Sequence, residues 1–173
     1  MEVFIEYLVQ KHSDSKTTLT KAGIIVAAIV LCLILFIACV NIEFIRFLYV
    51  FFVAGIVYGA WYLITSLRLE FEYILTNNEM DVDKIIAQRR RKRLVTVDFK
   101  NIEIMAPKTD KYKRDFDPNG IKTVVHAETG DPKDEYFVKF SSEKTGMTLL
   151  FFNPDDRIIS GARHASPRKV FQE

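Results

Sequence analysis

The densest chemistry in the sequence is the run Arg89-Arg90-Arg91-Lys92-Arg93. Guanidinium and ammonium groups at this density hold phosphate or carboxylate oxygens through charge-assisted hydrogen bonds. Near an anionic lipid surface each basic residue gains about 1 kcal/mol, so five gain at most about 5 before crowding and salt screening. Two readings compete. In one, all five side chains meet lipid headgroups. In the other, the run is a solvated turn that only fixes membrane orientation and is partly paired with Asp81 and Asp83. Nucleic acid is not the expected partner, because no aromatic residues interleave with the run to stack on bases.

Other motifs carry less. Asp115-Phe-Asp117-Pro-Asn119-Gly120 matches the opening of a calcium loop, but its twelfth position is His126, where a bidentate Glu is needed. A turn is the better reading. His12, His126 and His164 are dispersed, and no pair has the spacing of a helical metal site. Cys32 and Cys39 lie inside an apolar run, where they serve packing on one helix face rather than a disulfide framework or zinc. No serine elbow and no phosphate-binding glycine loop is present. The expectation is a non-enzymatic protein with no catalytic residue, metal or cofactor.

These side chains are positioned by two kinds of element. Ala22 to Ile64 is almost wholly apolar, broken only by a polar patch from Asn41 to Arg46. A helix needs about 20 apolar residues to cross a hydrocarbon core of about 30 Å. Two such helices joined by a short turn make a hairpin over 22–64, preceded by a lead-in over 1–21 and followed by a domain over 65–173. The excess of Lys and Arg outside the hairpin (Lys11, Lys16, Lys21, Arg68 and the run) puts both termini on the cytoplasmic side of the cell membrane. Tyr58, Trp61 and Tyr62 are the expected interface anchors of the second helix. Gly55 and Gly59 form a GxxxG that packs against Gly23 and Ala27 or, alternatively, serves a homo-oligomer. The first span is too long for a signal peptide and lacks its cleavage site. Phe36-Ile-Ala-Cys39 is a poor lipoprotein box, with Phe where Leu is wanted.

The lead-in has Val3, Phe4, Tyr7 and Leu8 at helical spacing, which suits an interfacial helix or equally a frayed end. Lys11 to Lys21 reads as irregular, with Thr20 as the cap of the first span. After the hairpin the period becomes two. Every odd residue from Leu67 to Leu75 is apolar, while Arg68, Glu70 and Glu72 face the other way. Further strands are expected at 80–88, 94–99, 102–105, 121–127, 135–142 and 147–152. A turn at Arg89 to Arg93 and a charged loop from Ala106 to Gly120 separate them. A helix follows, capped by Asn153, with Pro154 at its first position and Ile158, Ile159 and Ala162 as its buried stripe. The chain has a formal charge of +2, with 20 basic and 18 acidic residues after position 64, so local clusters carry any electrostatic argument.

Seven short antiparallel strands followed by one helix resemble the pleckstrin-homology-like fold in its bacterial membrane-attached form. Phe71-Glu-Tyr-Ile-Leu-Thr-Asn77, Leu94-Val-Thr-Val-Asp-Phe-Lys-Asn-Ile-Glu-Ile104 and Pro167-Arg-Lys-Val-Phe171, with the two spans, carry the resemblance. It implies a seven-stranded open barrel plugged by the last helix, attached to a membrane α-helical hairpin, with no catalytic residues. The eukaryotic phosphoinositide site uses basic residues on the hairpin of the first two strands. The turn Thr76 to Glu79, read as that hairpin, is not basic, so inositol-lipid binding does not carry over. The functional expectation is a membrane-anchored scaffold that docks on the anionic leaflet through Arg89, Arg90, Arg91, Lys92 and Arg93. The alternative is an interaction subunit that meets a protein partner through a sheet edge or the 106–120 loop.

Overall fold

The computed structural model describes residues 4–12, 14–41, 43–118, 120–142 and 145–172, and of 41, 43–46 and 133 the backbone alone. It forms two units, Ser13–Arg68 and a β unit assembled from Met1–His12 with Leu69–Glu173.

The first unit is a pair of helices, α1 (Ser15–Asn41) and α2 (Glu43–Ser66). Ser15–Val40 and Phe47–Ser66 are long and apolar enough to cross a membrane, at 26 and 20 residues. At 1.5 Å per residue these are about 39 and 30 Å, against a hydrocarbon core of about 30 Å. α1 starts earlier than the apolar run does. Asp14 begins it, accepting from Ser15 N at 2.7 Å through Oδ1 and from Thr18 N at 3.0 Å through its carbonyl. Thr20 is not a cap; its hydroxyl donates to Lys16 O one turn back. The polar patch read as a turn over 41–46 is helical from Glu43 onwards.

The shielded residues of α1 include Ile24, Ala28, Cys32, Leu35 and Cys39, at helical spacing; those of α2 include Val53, Ile56, Ala60 and Ile64. An apolar groove of about 610 Å³ runs along this seam, lined among others by Ala28, Cys32 and Ala60. The expected glycine faces are open within the helical pair. Gly55 lies roughly 150° round the helix from the seam. A Cβ built on Gly23, Gly55 or Gly59 meets no atom within 4 Å, and Ala27 is exposed.

In the second unit, β1 (Phe4–Gln10), β2 (Leu69–Thr76), β3 (Glu79–Ile86) and β4 (Arg90–Asp98) form one antiparallel sheet in the order β1-β2-β3-β4. Phe4–Gln10 is neither helix nor frayed end but a strand. Ile5, Tyr7 and Val9 point to the core, and Gln10 pairs with Glu70. Among the described residues there are thus eight strands rather than seven, and the first two are joined by the helical pair. The turn at Thr76 to Glu79 belongs to the second hairpin, with Asn77 left-handed at φ 55°. The other sheet contains β5 (Ile102–Pro107), β6 (Thr123–His126), β7 (Tyr136–Ser142) and β8 (Gly146–Phe152) in the order β5-β7-β8-β6. Here β6 runs parallel to β8, a second departure from the all-antiparallel expectation.

Both sheets turn alternate residues onto one core, an open barrel that α3 (Asp156–Ala165) covers with Ile158, Ile159 and Ala162. The helix cap is Asp155, whose carboxylate accepts from Ile158 N at 2.9 Å. Asn153 instead ties two loops, accepting from Thr129 N at 2.7 Å and donating to Asp131 O at 3.2 Å. Gly161 fits because a Cβ there would overlap Leu75 Cδ2 on β2. At the centre, Tyr73 donates to Ala127 O at 2.7 Å and accepts from Asn153 N at 3.2 Å. Burial pushes its phenol well above the ordinary range, so it stays a neutral donor.

The segment expected as a charged loop over 106–120 is folded. Tyr112, Phe116 and Ile121 pack onto Ala106, Phe137, Leu149 and Phe151 and make a second core on the outer face of the β5–β8 sheet. Phe116 meets Phe137 edge-on with ring centroids 5.3 Å apart.

Candidate functional site

The basic run is mostly strand, not turn. Register pairs Ile86 with Arg90, leaving Ala87, Gln88 and Arg89 as the connection. Ala87 and Gln88 are left-handed, at φ 54° and 56°, and Arg89 N donates to Ile86 O at 3.0 Å. Five adjacent cations read as a solvated loop. Strand pairing is allowed because their aliphatic stems lie along the sheet while carboxylates take up part of the charge.

Strand alternation then divides the run between two faces. Arg91 and Arg93 point to the outer face of the sheet, among Glu72 of β2 and Asp81 and Asp83 of β3. Arg93 Nε meets Asp83 Oδ1 at 2.5 Å and its Nη1 meets Asp81 Oδ2 at 2.5 Å. Arg91 pairs with Glu72 and reaches Asp83 at 3.9 Å. A bulge beside Val82 and Asp83 brings both arginines onto this face, since Val82 pairs with Val95 and Asp83 with Arg93. The acids are deeply covered, with Glu72 at 3 % and Asp83 at 2 % exposure. The arginine side chains are about half exposed, at 53 % and 49 %. Gln10 and Gln88 cover Glu70 in the same way, each donating to its Oε1 at 3.3 Å.

Burial pushes the Glu72 carboxyl above its ordinary range, the Glu6 side chain pushes it the same way, and Arg91 pulls it back. Hydrogen bonding to Asp83 raises the Arg93 guanidinium against the cost of burial, so it is always charged.

Arg90 and Lys92 alternate to the opposite face. Lys92 stands directly across from Lys84 and Arg90 across from Ile86. Among the described residues no carboxylate pairs with Lys84, Arg90 or Lys92 within 4.0 Å. Two lysines opposed across a ladder repel, and an anion between them would relieve that repulsion. Lys84 escaped sequence reasoning because it stands apart from the run, and only strand pairing brings it there.

This end of the sheet is also the one at which the chain leaves for the helices. Leu69 pairs with Ile86, and α2 ends at Ser66. Tyr58, Trp61 and Tyr62, expected as interface anchors, lie in the last turns of α2 and are exposed; Tyr58 and Trp61 have ring centroids 5.7 Å apart.

One concavity of the β unit is an open cleft of about 430 Å³ bordered by Tyr7, His12, Asp131, Asp134, Tyr136 and Asp156. It is acidic, the opposite sign to the hairpin. The described residues bring no three His, Cys, Asp or Glu side chains into a metal-binding group. His126, twelfth in the calcium-like loop, lies on β6, stacked on Phe151 and 2.9 Å from Glu128. Asn119 of that loop lies outside the described residues.

No curated protein and no solved structure matches the chain. A family model does, and its match takes in the lead-in strand, both helices and the β unit: over residues 1–172 the chain belongs to the family described as Bacterial PH-like domain (DUF6106).

Proposed function

We propose that this protein is a non-enzymatic, membrane-anchored binding module whose β domain meets anionic lipid phosphates of the inner leaflet through Lys84, Arg90 and Lys92. The observation that carries this reading is the division of the basic run. Arg91 and Arg93 are neutralised by Glu72, Asp81 and Asp83, whereas the opposite face holds three cations with no carboxylate partner among the described residues. Contact by three residues instead of five lowers the expected gain to about 3 kcal/mol before screening. Both termini are cytoplasmic in this reading, because Lys11, Lys16, Lys21 and Arg68 flank the helical pair.

The test is amine-reactive labelling of the full chain in nanodiscs, read residue by residue by mass spectrometry. Anionic nanodiscs should protect Lys84 and Lys92 several-fold relative to zwitterionic ones, and salt should remove the protection. Lys139, paired with Glu103 on the other sheet, is the internal control. Equal labelling of Lys84 and Lys92 in both lipids would refute the contact. Protection by free inorganic phosphate in zwitterionic discs would point to a soluble ligand instead.

A further inference from the structure

β1 and β2 are neighbours in one sheet, yet residues 13–68, with both apolar helices, lie between them in the chain. The pairing is complete up to the point of departure. Gln10 faces Glu70, Lys11 N donates to Leu69 O at 2.9 Å, and His12 N donates to Thr129 O at 2.8 Å. α1 begins at Ser15, and α2 ends at Ser66. The links 11–14 and 67–68 are short. Fully extended, the longer one spans about 14 Å, half of the roughly 30 Å hydrocarbon core. Neither link can carry a strand from one side of a bilayer to the other.

We infer that the β domain closes only when the chain crosses the membrane an even number of times between β1 and β2, so completion of the sheet checks insertion of the hairpin. This rests on both helices spanning the bilayer and is independent of whether the basic face binds lipid. With both helices inserted, β1 and β2 emerge on one side and pair. With one inserted, they end on opposite sides. The free edge of β2 is then exposed, and the buried Phe71 and Tyr73 lose the cover of Tyr7 and Val9. Such a chain offers proteases an unfinished sheet, whereas a correctly inserted chain does not.

The experiment uses the full chain in leaky membrane vesicles, with trypsin reaching both faces. A variant lacking residues 43–66 crosses once. Its β domain should be cut at least tenfold faster than that of the intact chain. The same deletion with a second copy of residues 1–12 placed directly before Leu69 supplies the missing strand on the far side and should restore resistance. Resistance of the one-crossing domain without the added strand would overturn the inference, as would failure of the added strand to restore it.

Discussion

The two sheets meet the same physical problem on their outer faces and solve it differently. In the β5–β8 sheet, Phe137, Leu149 and Phe151 are apolar on the side away from the main core, and the segment carrying Tyr112, Phe116 and Ile121 folds over them. In the β1–β4 sheet, the outer face holds Glu70, Glu72 and Asp83, covered by Arg91, Arg93, Gln10 and Gln88. One covering excludes water by area, at about 25 cal/mol per Å². The other works only while each buried charge keeps its partner. The ionic solution is found on the sheet that connects to the helices. It leaves the second face of the same hairpin free to be basic, which an apolar covering would not require.

This contrast can be broken from either side. The largest effect is expected at Phe137, which is fully buried in the second core. Phe137→Ala should destabilise the β unit by about 3–5 kcal/mol, equally at low and high salt, as measured by denaturant unfolding of the full chain in detergent. Arg93→Met comes next. It strands Asp83 with only the longer contact to Arg91, and because Arg93 is half exposed its cost falls below that of a fully buried pair, at about 1–3 kcal/mol. An unchanged midpoint would mean that water, not Arg93, satisfies Asp83.

The third prediction concerns pH. Glu72 has a raised folded-state pKa, so its contribution to stability is fully present below the unfolded carboxylate range and is lost as pH rises through the folded value. The stability difference between wild type and Glu72→Gln should therefore move against wild type as pH rises from about 4 to 7. Thermal unfolding across that range measures it, and a difference that is flat or of opposite slope would show that Arg91 dominates the site. The smallest effect is expected in the hairpin turn. Ala87→Asn with Gln88→Gly suits two left-handed residues and should stabilise by about 1 kcal/mol, the relief of left-handed strain less the added freedom of the unfolded chain, without altering lipid contact.

Much of this was legible residue by residue. Alternation from Leu67 to Leu75 identified β2 and its buried face, and Ile158, Ile159 and Ala162 identified the buried side of α3. The apolar helices followed from length and absence of charge. The basic run was visible as chemistry, but its division was not, because the parity of each arginine depends on where β4 begins and on the bulge opposite Asp83. Lys84 became a site residue only through its partner across the ladder. The glycines make a related point: a GxxxG spacing says that a smooth face exists, not which neighbour it meets.

β1 shows where reading stops. Over Phe4–Gln10, apolar residues at helical spacing and at alternate positions coexist, and so short a segment cannot decide between them. The sequence alone determined which segments are apolar, which alternate and where charge concentrates, since these are properties of neighbours along the chain. Only the tertiary structure decided that the first strand belongs to a sheet whose other members follow the membrane hairpin. A strand's identity rests on hydrogen bonds to a partner, and here that partner lies beyond two helices.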